Sequence, residues 1–368
     1  MFQRFWACAE LCILTLTSCT PFLNDSAVLY SYNPPDQVNN EWHISSLNAE
    51  NIAIAPIEEL TNQIQTEEYR NIHSLLIVRN GKLVYERYFN GYTSAVPENI
   101  YSATKSITSI LLGIAIDQHM ITDINSEVLS FFPEYTGKLS DQEQKQKITL
   151  KHLLTMSSGL ACNDVIGHAS PGFEENMSKS NDWIHFTLDL PILYEVGTTP
   201  QYCTAGVVTL GGVINRASDM STENFAQYYL FSPLNIQSYR WDRMPDGEIS
   251  TGGKLFIRPR DMAKIGQLML DKGKWKGQQL VSNRWVAEST AKQAMLQNFE
   301  YGYLWWRRTF VIQDQTYQMY FAWGNGGNYL CVLPDYKTVL VCTGGNLNSV
   351  LSNQFFQMLQ SKLLPAIQ

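Results

Sequence analysis

Two apolar segments in the first quarter of the chain are separated by an Asn-Gly dipeptide. Residues 74–79 and 82–89 are rich in aliphatic and aromatic side chains, and Asn80-Gly81 stands between them. An Asn-Gly pair in this setting is typical of a two-residue hairpin, because both turn residues must take positive φ. The pattern therefore predicts a β-hairpin over residues 74–89.

A second pair of apolar segments lies near the C-terminus. Residues 329–333 and 338–343 flank a turn over residues 334–337, which predicts a second hairpin. Residues 349–364 then space their apolar side chains as an amphipathic helix does. These side chains are Val350, Leu351, Phe355, Met358, Leu359 and Leu363.

The middle of the chain has helical patterns and long polar segments. Helices are predicted over residues 107–118, over 150–156 with Thr149 as a cap, and over 206–217. Residues 161–182 are polar and predict a long surface loop, a kind of segment that is usually functional or disordered.

Strands at both ends of the chain with helices between them predict an α/β (α+β) fold built on one antiparallel sheet. Residues 20–50, rich in Asn, Ser, Pro and Asp, are interpreted as a linker or a loosely packed lead-in to the fold. The predicted organisation is a signal peptide over 1–18, a linker over 19–50, a sheet subdomain over 51–115 and 245–368, and a mostly helical subdomain over 116–244.

The first residues resemble an export signal. An apolar stretch over 5–17 follows Arg4 and is shorter than the roughly 20 residues of a membrane-spanning helix. Leu16-Thr17-Ser18-Cys19 resembles a bacterial lipobox, which would make Cys19 the lipidated first residue of the mature protein. Ordinary export and a start without a targeting role are the alternatives. The leading expectation is a protein of the bacterial cell envelope, facing the periplasm and held at the membrane through Cys19 alone.

Composition and charge exclude several classes of protein. Of 368 residues, 45% are hydrophobic, which argues against a disordered chain. Lys+Arg number 27 against 34 Asp+Glu, so the net charge of −7 would repel the phosphates of a nucleic acid. The chain has no CxxC and no HExxH motif, and its six histidines are scattered. We therefore expect no nucleic acid, no metal and no organic cofactor.

One candidate nucleophile stands at the start of a predicted helix. Ser102-Ala103-Thr104-Lys105 fits S-x-x-K and opens an apolar helical run. Residues at i and i+3 share a helix face, so the hydroxyl and the amine would be neighbours at the positive end of the helix dipole. A desolvated lysine in this position can accept the serine proton. Ser289-Thr290-Ala291-Lys292 fits the same pattern without such a helix, and we interpret it as a solvated helix end.

Two further motifs become informative when they are considered together with the S-x-x-K motif at Ser102. Tyr202-Cys203-Thr204 lies near the middle of the chain, and residues 322–327 read Ala-Trp-Gly-Asn-Gly-Gly. Glycines in the second motif would let backbone approach a ligand and present N–H groups to an oxyanion. Each motif alone is more often a core tyrosine or a turn.

Together, five motifs resemble the class C β-lactamase-related serine hydrolases, which include β-lactamases, DD-peptidases, esterases and 6-aminohexanoate-oligomer hydrolases. The resemblance covers residues 72–365 and implies a serine β-lactamase/penicillin-binding-protein-like fold, its sheet flanked by N- and C-terminal helices. The motifs, in family order, lie at residues 101–106, 153–160, 202–204, 258–263 and 324–327.

The resemblance implies roles for individual residues. Ser102 resembles the acylated nucleophile, Lys105 its proton-relay partner and Tyr202 the tyrosine of a Y-x-N box. If residues 322–324 occupy the third box, the backbone N–H groups of Ser102 and Asn325 would form the oxyanion hole, with Gly324 beside them and Trp323 as an apolar wall. The alternative register, which places residues 325–327 in that box, is less favoured because the strand then does not run unbroken into the glycines. Tyr101 and Thr204 complete the set of residues expected at the substrate.

Two departures from the family pattern bear on the substrate. Thr204 stands where Y-x-N has asparagine, and no Lys or His occupies the third box, where lactamases place a cation facing the substrate carboxylate. A site without that cation loses a charge-assisted hydrogen bond worth about 1.5–3 kcal/mol. We therefore expect an ester, an amide or a small peptide as substrate rather than efficient β-lactam turnover. The alternative is a non-catalytic envelope protein that binds peptidoglycan or a penicillin-like ligand, or a scaffold.

The same fold would bring two cysteines together. Cys162 and Cys203 lie in segments that should both border the site, so the resemblance implies a possible disulfide that holds Tyr202; the alternative is two small buried residues. Cys331 and Cys342 would face each other only if Tyr336-Lys337 formed the hairpin turn. Buried apolar packing is the preferred interpretation for that second pair.

Overall fold

The computed structural model describes residues 29–38 and 41–367 of the chain. Its strands are β1 His43–Ile44, β2 Ile72–Arg79, β3 Lys82–Tyr88, β4 Glu98–Asn99, β5 Tyr239–Trp241, β6 Leu255–Ile257, β7 Lys274–Trp275, β8 Gln278–Gln279, β9 Ala294–Leu296, β10 Phe299–Tyr301, β11 Trp306–Ile312, β12 Gln315–Gly324, β13 Asn328–Leu333 and β14 Thr338–Gly344.

The helices of the same residues are α1 Ile54–Gln65, α2 Thr104–Asp117, α3 Gln142–Lys145, α4 Leu150–Leu154, α5 Glu174–Met177, α6 Trp183–Asp189, α7 Thr204–Ser218, α8 Thr222–Ala226, α9 Pro259–Leu270, α10 Asn283–Thr290, α11 Gln354–Met358 and α12 Leu364–Ala366. Short 3-10 turns include Tyr101–Ala103, Asp164–Ala169 and Val350–Asn353.

Nine strands form the main sheet, in the order β1-β3-β2-β14-β13-β12-β11-β10-β9. Every neighbouring pair is antiparallel except β1 with β3. Both predicted hairpins are confirmed, as β2–β3 and β13–β14. Asn80 and Gly81 have φ of 52° and 75°, as the two-residue turn requires.

The central strands join distant parts of the chain and are covered on both faces. β2 pairs with β14, and both are almost entirely buried. On β13, Leu330 lies against Gly266 of α9, whereas its neighbour Tyr329 stacks on Phe355 of α11. Successive residues of a strand point to opposite faces, so helices cover both sides of the sheet. The predicted α/β architecture is confirmed.

The interpretation of residues up to 50 as a linker is wrong for residues 41–50. Trp42 and Leu47 are buried, and β1 adds a parallel strand to β3. Polar contacts hold this segment, with Glu50 Oε1 2.7 Å from Lys82 Nζ. The apolar side chains here are too few to give a periodic pattern, which is why the sequence favoured a linker.

The C-terminal helix is present but interrupted. Val350 and Leu351, which the spacing placed on the apolar face, are exposed in a 3-10 turn. The α-helical part begins at Gln354 and passes through a π-helical turn at Leu359–Leu363. Phe355 and Met358 of the predicted face are buried as expected.

The middle of the chain holds the predicted helices as α2, α4 and α7. Thr149 caps α4 in a reciprocal pair with His152. The predicted loop over 161–182 contains α5 and a 3-10 turn, and Cys162 and Met177 within it are buried. The loop is therefore partly helical and packed on the core. The division of the chain into two subdomains stays a prediction.

The predicted signal peptide and Cys19 lie outside the described residues. Within residues 29–38 and 41–367, none of the helices has both the length and the apolar character needed to traverse a bilayer.

Candidate active site

Ser102 lies in the tight turn that leads into the buried helix α2. Residues Tyr101–Ala103 form a 3-10 turn, and α2 begins at Thr104. Tyr101 has a positive φ of 47°, held by the hydrogen bond from its backbone N–H to Asn99 Oδ1 (2.9 Å). This left-handed residue reverses the chain before Ser102, which is half-buried.

Lys105 lies directly behind Ser102. Its side chain is buried, and Nζ donates to Ser102 Oγ at 3.2 Å and to the Gly252 carbonyl oxygen at 2.6 Å. The same nitrogen lies 5.0 Å from the centre of the Tyr202 ring. Lys105 forms no ion pair with any residue in the described part of the chain. Its amine therefore contacts the serine hydroxyl, one backbone carbonyl oxygen and one aromatic ring.

Tyr202 approaches from the segment before α7. Its ring is partly buried and stacks on Trp306 of β11, with 5.7 Å between ring centres. Its carbonyl oxygen accepts from the backbone N–H of Asp164 (2.8 Å). The side chains of Ser102, Lys105 and Tyr202, which the sequence proposed for the site, are therefore neighbours in the folded chain.

These side chains border a cavity of about 360 Å³, a size within the range of small-molecule sites. Five of the residues predicted for the site line it: Ser102, Tyr202, Trp323, Gly324 and Asn325. Five further lining residues were not anticipated: Asp164, Val165, Gln297, Trp306 and Ser352.

Tyr101 and Thr204 are not among the lining residues. Thr204 is buried, its methyl group faces Gly252, and it borders a separate cavity of about 180 Å³ together with Trp183. The pKa of the Tyr101 phenol is raised by burial, which keeps it neutral. The structure thus places these two residues beside the site rather than on its surface.

The end of β12 packs tightly against the turn that carries Ser102. A Cβ on Gly324 would lie 2.0 Å from the Ile100 carbonyl oxygen and 3.2 Å from the Ala103 nitrogen. Only glycine permits this approach between the two backbones. The Asn325 side chain points away toward a neighbouring loop, because its Nδ2 donates to Asn348 Oδ1 (2.7 Å). The side-chain amide of Asn325 is therefore engaged by Asn348.

Cys162 and Cys203 form a disulfide, with 5.3 Å between their Cα atoms. Cys203 immediately follows Tyr202 and caps α7, so the bridge ties the tyrosine segment to the 161–182 segment. Asp164 adds a second tie, since its carboxylate accepts from the Thr204 backbone N–H at 2.6 Å. Cys331 and Cys342 are buried free thiols, opposite Leu340 and Tyr329 rather than each other.

Removing this disulfide is expected to lower stability. The bridge closes a loop of 41 residues, for which chain entropy predicts a loss of about 3–4 kcal/mol in the free energy of unfolding. Urea unfolding of the Cys162→Ser/Cys203→Ser double variant measures it. Adding reductant should lower the wild-type midpoint and leave the variant unchanged; equal midpoints for the two proteins would contradict a stabilising bridge.

Another cavity of about 460 Å³ lies around His152 and Tyr194. The His152 pKa is lowered by burial, and its Nδ1 accepts from the Thr149 backbone N–H (3.1 Å). No serine or cysteine borders this cavity among the described residues. The described residues also contain no group of three His, Cys, Asp or Glu side chains arranged to hold a metal ion.

Part of the chain is similar in sequence to two known proteins. The chain is 25% identical over 227 residues to the 6-aminohexanoate-dimer hydrolase of Paenarthrobacter ureafaciens, covering 58% of this chain and 55% of that protein. It is 26% identical over 254 residues to the acyltransferase mokF of Monascus pilosus, and this alignment covers 57% of this chain and 60% of that protein. The alignments thus span little more than half the length of these relatives.

Solved structures share the fold. The octameric penicillin-binding protein homologue from Pyrococcus abyssi superposes with a TM-score of 0.63 at 18% identity, covering 84% of this chain and 77% of that one. The beta-lactamase family model matches residues 65–348, which is well over half of the chain and includes the segments of Ser102, Lys105 and Tyr202. This protein belongs to the beta-lactamase family.

Proposed function

We propose that this protein is a serine hydrolase that cleaves an ester, an amide or a small peptide through an acyl-enzyme on Ser102. The observation that carries the proposal is the contact between a buried lysine and a cavity-lining serine, 3.2 Å from Nζ to Oγ, with Tyr202 on the same cavity. Hydrolase activity in relatives of this fold supports the general class of reaction.

In the first step, Ser102 Oγ attacks the substrate carbonyl carbon. The hydroxyl proton passes to the amine of Lys105, and the carbonyl oxygen becomes an oxyanion. The bond to the leaving group then breaks as that group takes a proton, from Lys105 directly or through Tyr202. Ser102 is left as an ester of the acyl group.

Water completes the cycle. It loses a proton to the Lys105–Tyr202 pair, attacks the acyl carbon and releases the acid, and Ser102 Oγ recovers its proton. We propose that the backbone N–H groups of Ser102 and Asn325 stabilise both oxyanions. The close packing of Gly324 on the Ser102 turn supports this, because it brings the end of β12 beside the nucleophile.

The substrate class follows from the cavity lining. Among the described residues that border the cavity, none carries a cation, and Trp306 and Trp323 supply apolar walls. A substrate carboxylate would find no partner there. Esters and small amides are therefore favoured over β-lactams.

A substrate panel tests the proposal. Short-chain nitrophenyl esters, D-amino-acid peptides and nitrocefin would be given to the purified protein, and product formation followed over time. We expect ester turnover with an initial burst of nitrophenol equal to the enzyme concentration, and nitrocefin turnover far slower. A protein that binds these compounds and releases no product would instead fit a binding role in the envelope.

Gly324→Ala is expected to lower turnover by about 100-fold, since misplacement of reacting groups by about 1 Å has that cost. The added methyl group would force the Ile100 carbonyl and the Ser102 turn apart. Gly253→Ala is the matched control: it lies beside Tyr101, but its new Cβ would be 3.9 Å from the nearest atoms. Comparable kcat/KM for the two variants would contradict the role of this packing.

We also propose that the protein is exported and anchored through Cys19. The disulfide between Cys162 and Cys203 supports export, because such bridges persist mainly in oxidising compartments.

A further inference from the structure

The carbonyl oxygen that holds Lys105 belongs to a buried loop between β5 and β6. Lys105 Nζ lies 2.6 Å from the Gly252 carbonyl oxygen and 3.2 Å from Ser102 Oγ, so the loop is the nearer of these two partners. Residues 250–252 of this loop are buried. Because the lysine side chain is flexible, a short hydrogen bond to a fixed carbonyl helps to decide where the amine lies relative to Ser102.

The Trp241 indole holds this loop on both sides of Gly252. Trp241 is the last residue of β5 and is buried. Its Nε1 lies 2.8 Å from the Ser250 carbonyl oxygen and 3.1 Å from the Gly253 carbonyl oxygen. An indole has one N–H and no acceptor, so this single hydrogen is shared between the two carbonyls. Trp241 therefore fixes the backbone before and after the group that contacts the lysine.

Two threonine hydroxyls hold the middle of the same loop. Thr108 Oγ1 donates to the Thr251 carbonyl oxygen (2.8 Å), and Thr251 Oγ1 donates to the Val207 carbonyl oxygen of α7 (2.9 Å). Thr108 lies on α2, the helix that also carries the lysine. Thr204 packs against Gly252, where an added Cβ would lie 2.6 Å from the threonine methyl carbon. The loop is thus held from β5, α2 and α7 together.

These hydrogen bonds act from outside the catalytic cavity. Neither Trp241 nor Thr108 is among the described residues that line the cavity at Ser102. Each is connected to the nucleophile through the loop and the Lys105 amine. Because misplacement of reacting groups by about 1 Å can lower a rate about 100-fold, the transfer of the serine proton depends on how firmly the loop is held.

We propose that Trp241 and Thr108 are positioning residues, which hold the Gly252 carbonyl where it keeps the Lys105 amine beside Ser102. This inference rests on the proposed function and adds to it the residues that align its proton acceptor. Removing either donor leaves a buried carbonyl with one hydrogen bond fewer, which favours a shift of the loop. The amine would follow the carbonyl to which it is bonded, and its contact with the serine would lengthen.

Trp241→Phe and Thr108→Val test the proposal, because each keeps a buried side chain of related shape and removes the hydrogen-bond donor. We expect each variant to lower kcat for a nitrophenyl ester by about tenfold, the order of cost for a small displacement of reacting groups. KM should stay within about twofold of wild type, because the lining of the cavity is unchanged.

A double-mutant cycle with Lys105→Met separates positioning from a general structural role. If Trp241 and Thr108 act through the lysine amine, adding either substitution to Lys105→Met should lower the acylation rate no further. A general weakening of the fold would lower that rate about tenfold in both backgrounds. Single-turnover acylation at high enzyme concentration keeps the slow Lys105→Met reaction measurable.

Trp183→Phe is the matched control for the loss of an indole donor. Trp183 is also buried, and its Nε1 donates to the Ser180 carbonyl oxygen (3.1 Å), a group without contact to the lysine. Its kcat should remain near wild type. Should Trp241→Phe fail to fold, Thr108→Val makes the same test from the α2 side of the loop.

The possible failures are distinguishable. Wild-type kcat in both folded variants, or an equal fall with and without Lys105, would overturn the positioning role and leave the hydrolase intact. Failure of both variants to fold would assign these hydrogen bonds to the stability of the chain and would also overturn it. Absence of turnover of any nitrophenyl ester by wild type would overturn the proposed function itself.

Discussion

Ser102→Ala is expected to lower ester turnover by at least about 10³-fold, because removal of a nucleophile leaves only the binding and oxyanion contributions. The substitution removes one oxygen that lines the cavity and accepts from Lys105. The fold should persist, since the Ser102 side chain is half-buried and its loss creates no large void. Burst and steady-state kinetics with a nitrophenyl ester measure the effect, and the burst should disappear.

The second S-x-x-K segment supplies the control. Ser289, which the sequence placed at a solvated helix end, is instead buried near the end of α10, where its Oγ donates to the Val286 carbonyl oxygen (3.3 Å). Ser289→Ala should therefore leave kcat/KM unchanged. Loss of turnover in Ser289→Ala alone would assign the nucleophile to the wrong motif, and full activity in Ser102→Ala would remove it from the mechanism.

Lys105→Met is expected to have the next largest effect, about 10²–10⁴-fold in kcat, as for loss of a general base. Methionine fills a similar volume without an amine, so the site keeps its shape while Ser102 loses its proton acceptor. Substrate binding should change less, because Lys105 is buried behind the serine and does not line the cavity. A fall in kcat with a nearly constant KM would be the kinetic signature.

The matched control for this variant is Lys292→Met. Lys292 is exposed and 3.4 Å from Glu300, an ion pair that contributes little to the fold. Its replacement should leave both kinetic constants near wild type. If Lys105→Met retained wild-type kcat while its thermal unfolding also matched wild type, the lysine would have no part in proton transfer.

The features that the sequence predicted well are those with strong local signals. The Asn80-Gly81 turn requires positive φ at two positions, and few sequences other than Asn-Gly provide it, so the first hairpin was predictable. Ser102 and Lys105 are three residues apart in one helical turn, so their contact follows from helix geometry.

Features that depend on tertiary packing were harder to predict from the sequence. Val350 and Leu351 fit a helical pattern but are exposed, because the α-helix begins only at Gln354. Asp164 and Trp306 lie 62 and 204 residues from Ser102, and neither belongs to a motif, so only the folded chain shows that they share its cavity. An aspartate two residues after a cysteine in a long polar loop was the one available signal for Asp164.

The motif alone did not predict correctly where the Thr204 side chain points. Its place in the Tyr202-Cys203-Thr204 box implied a substrate contact, whereas its side chain packs on Gly252 behind the cavity. The backbone of Thr204 instead donates to Asp164, so its local contribution is to hold a residue that lines the site. The sequence gives residue identity and spacing, and side-chain direction depends on the packing around α7.

The central claim is that Ser102 carries the acyl group during turnover. The most direct measurement is to react the protein with a fluorophosphonate, or to quench it with acid during turnover of a slow ester, and to map the added mass by peptide mass spectrometry. The account predicts one adduct per chain, on the peptide containing Ser102 and at that residue, absent from Ser102→Ala and present in Ser289→Ala. An adduct at another residue, or hydrolysis with no covalent adduct under either condition, would contradict it.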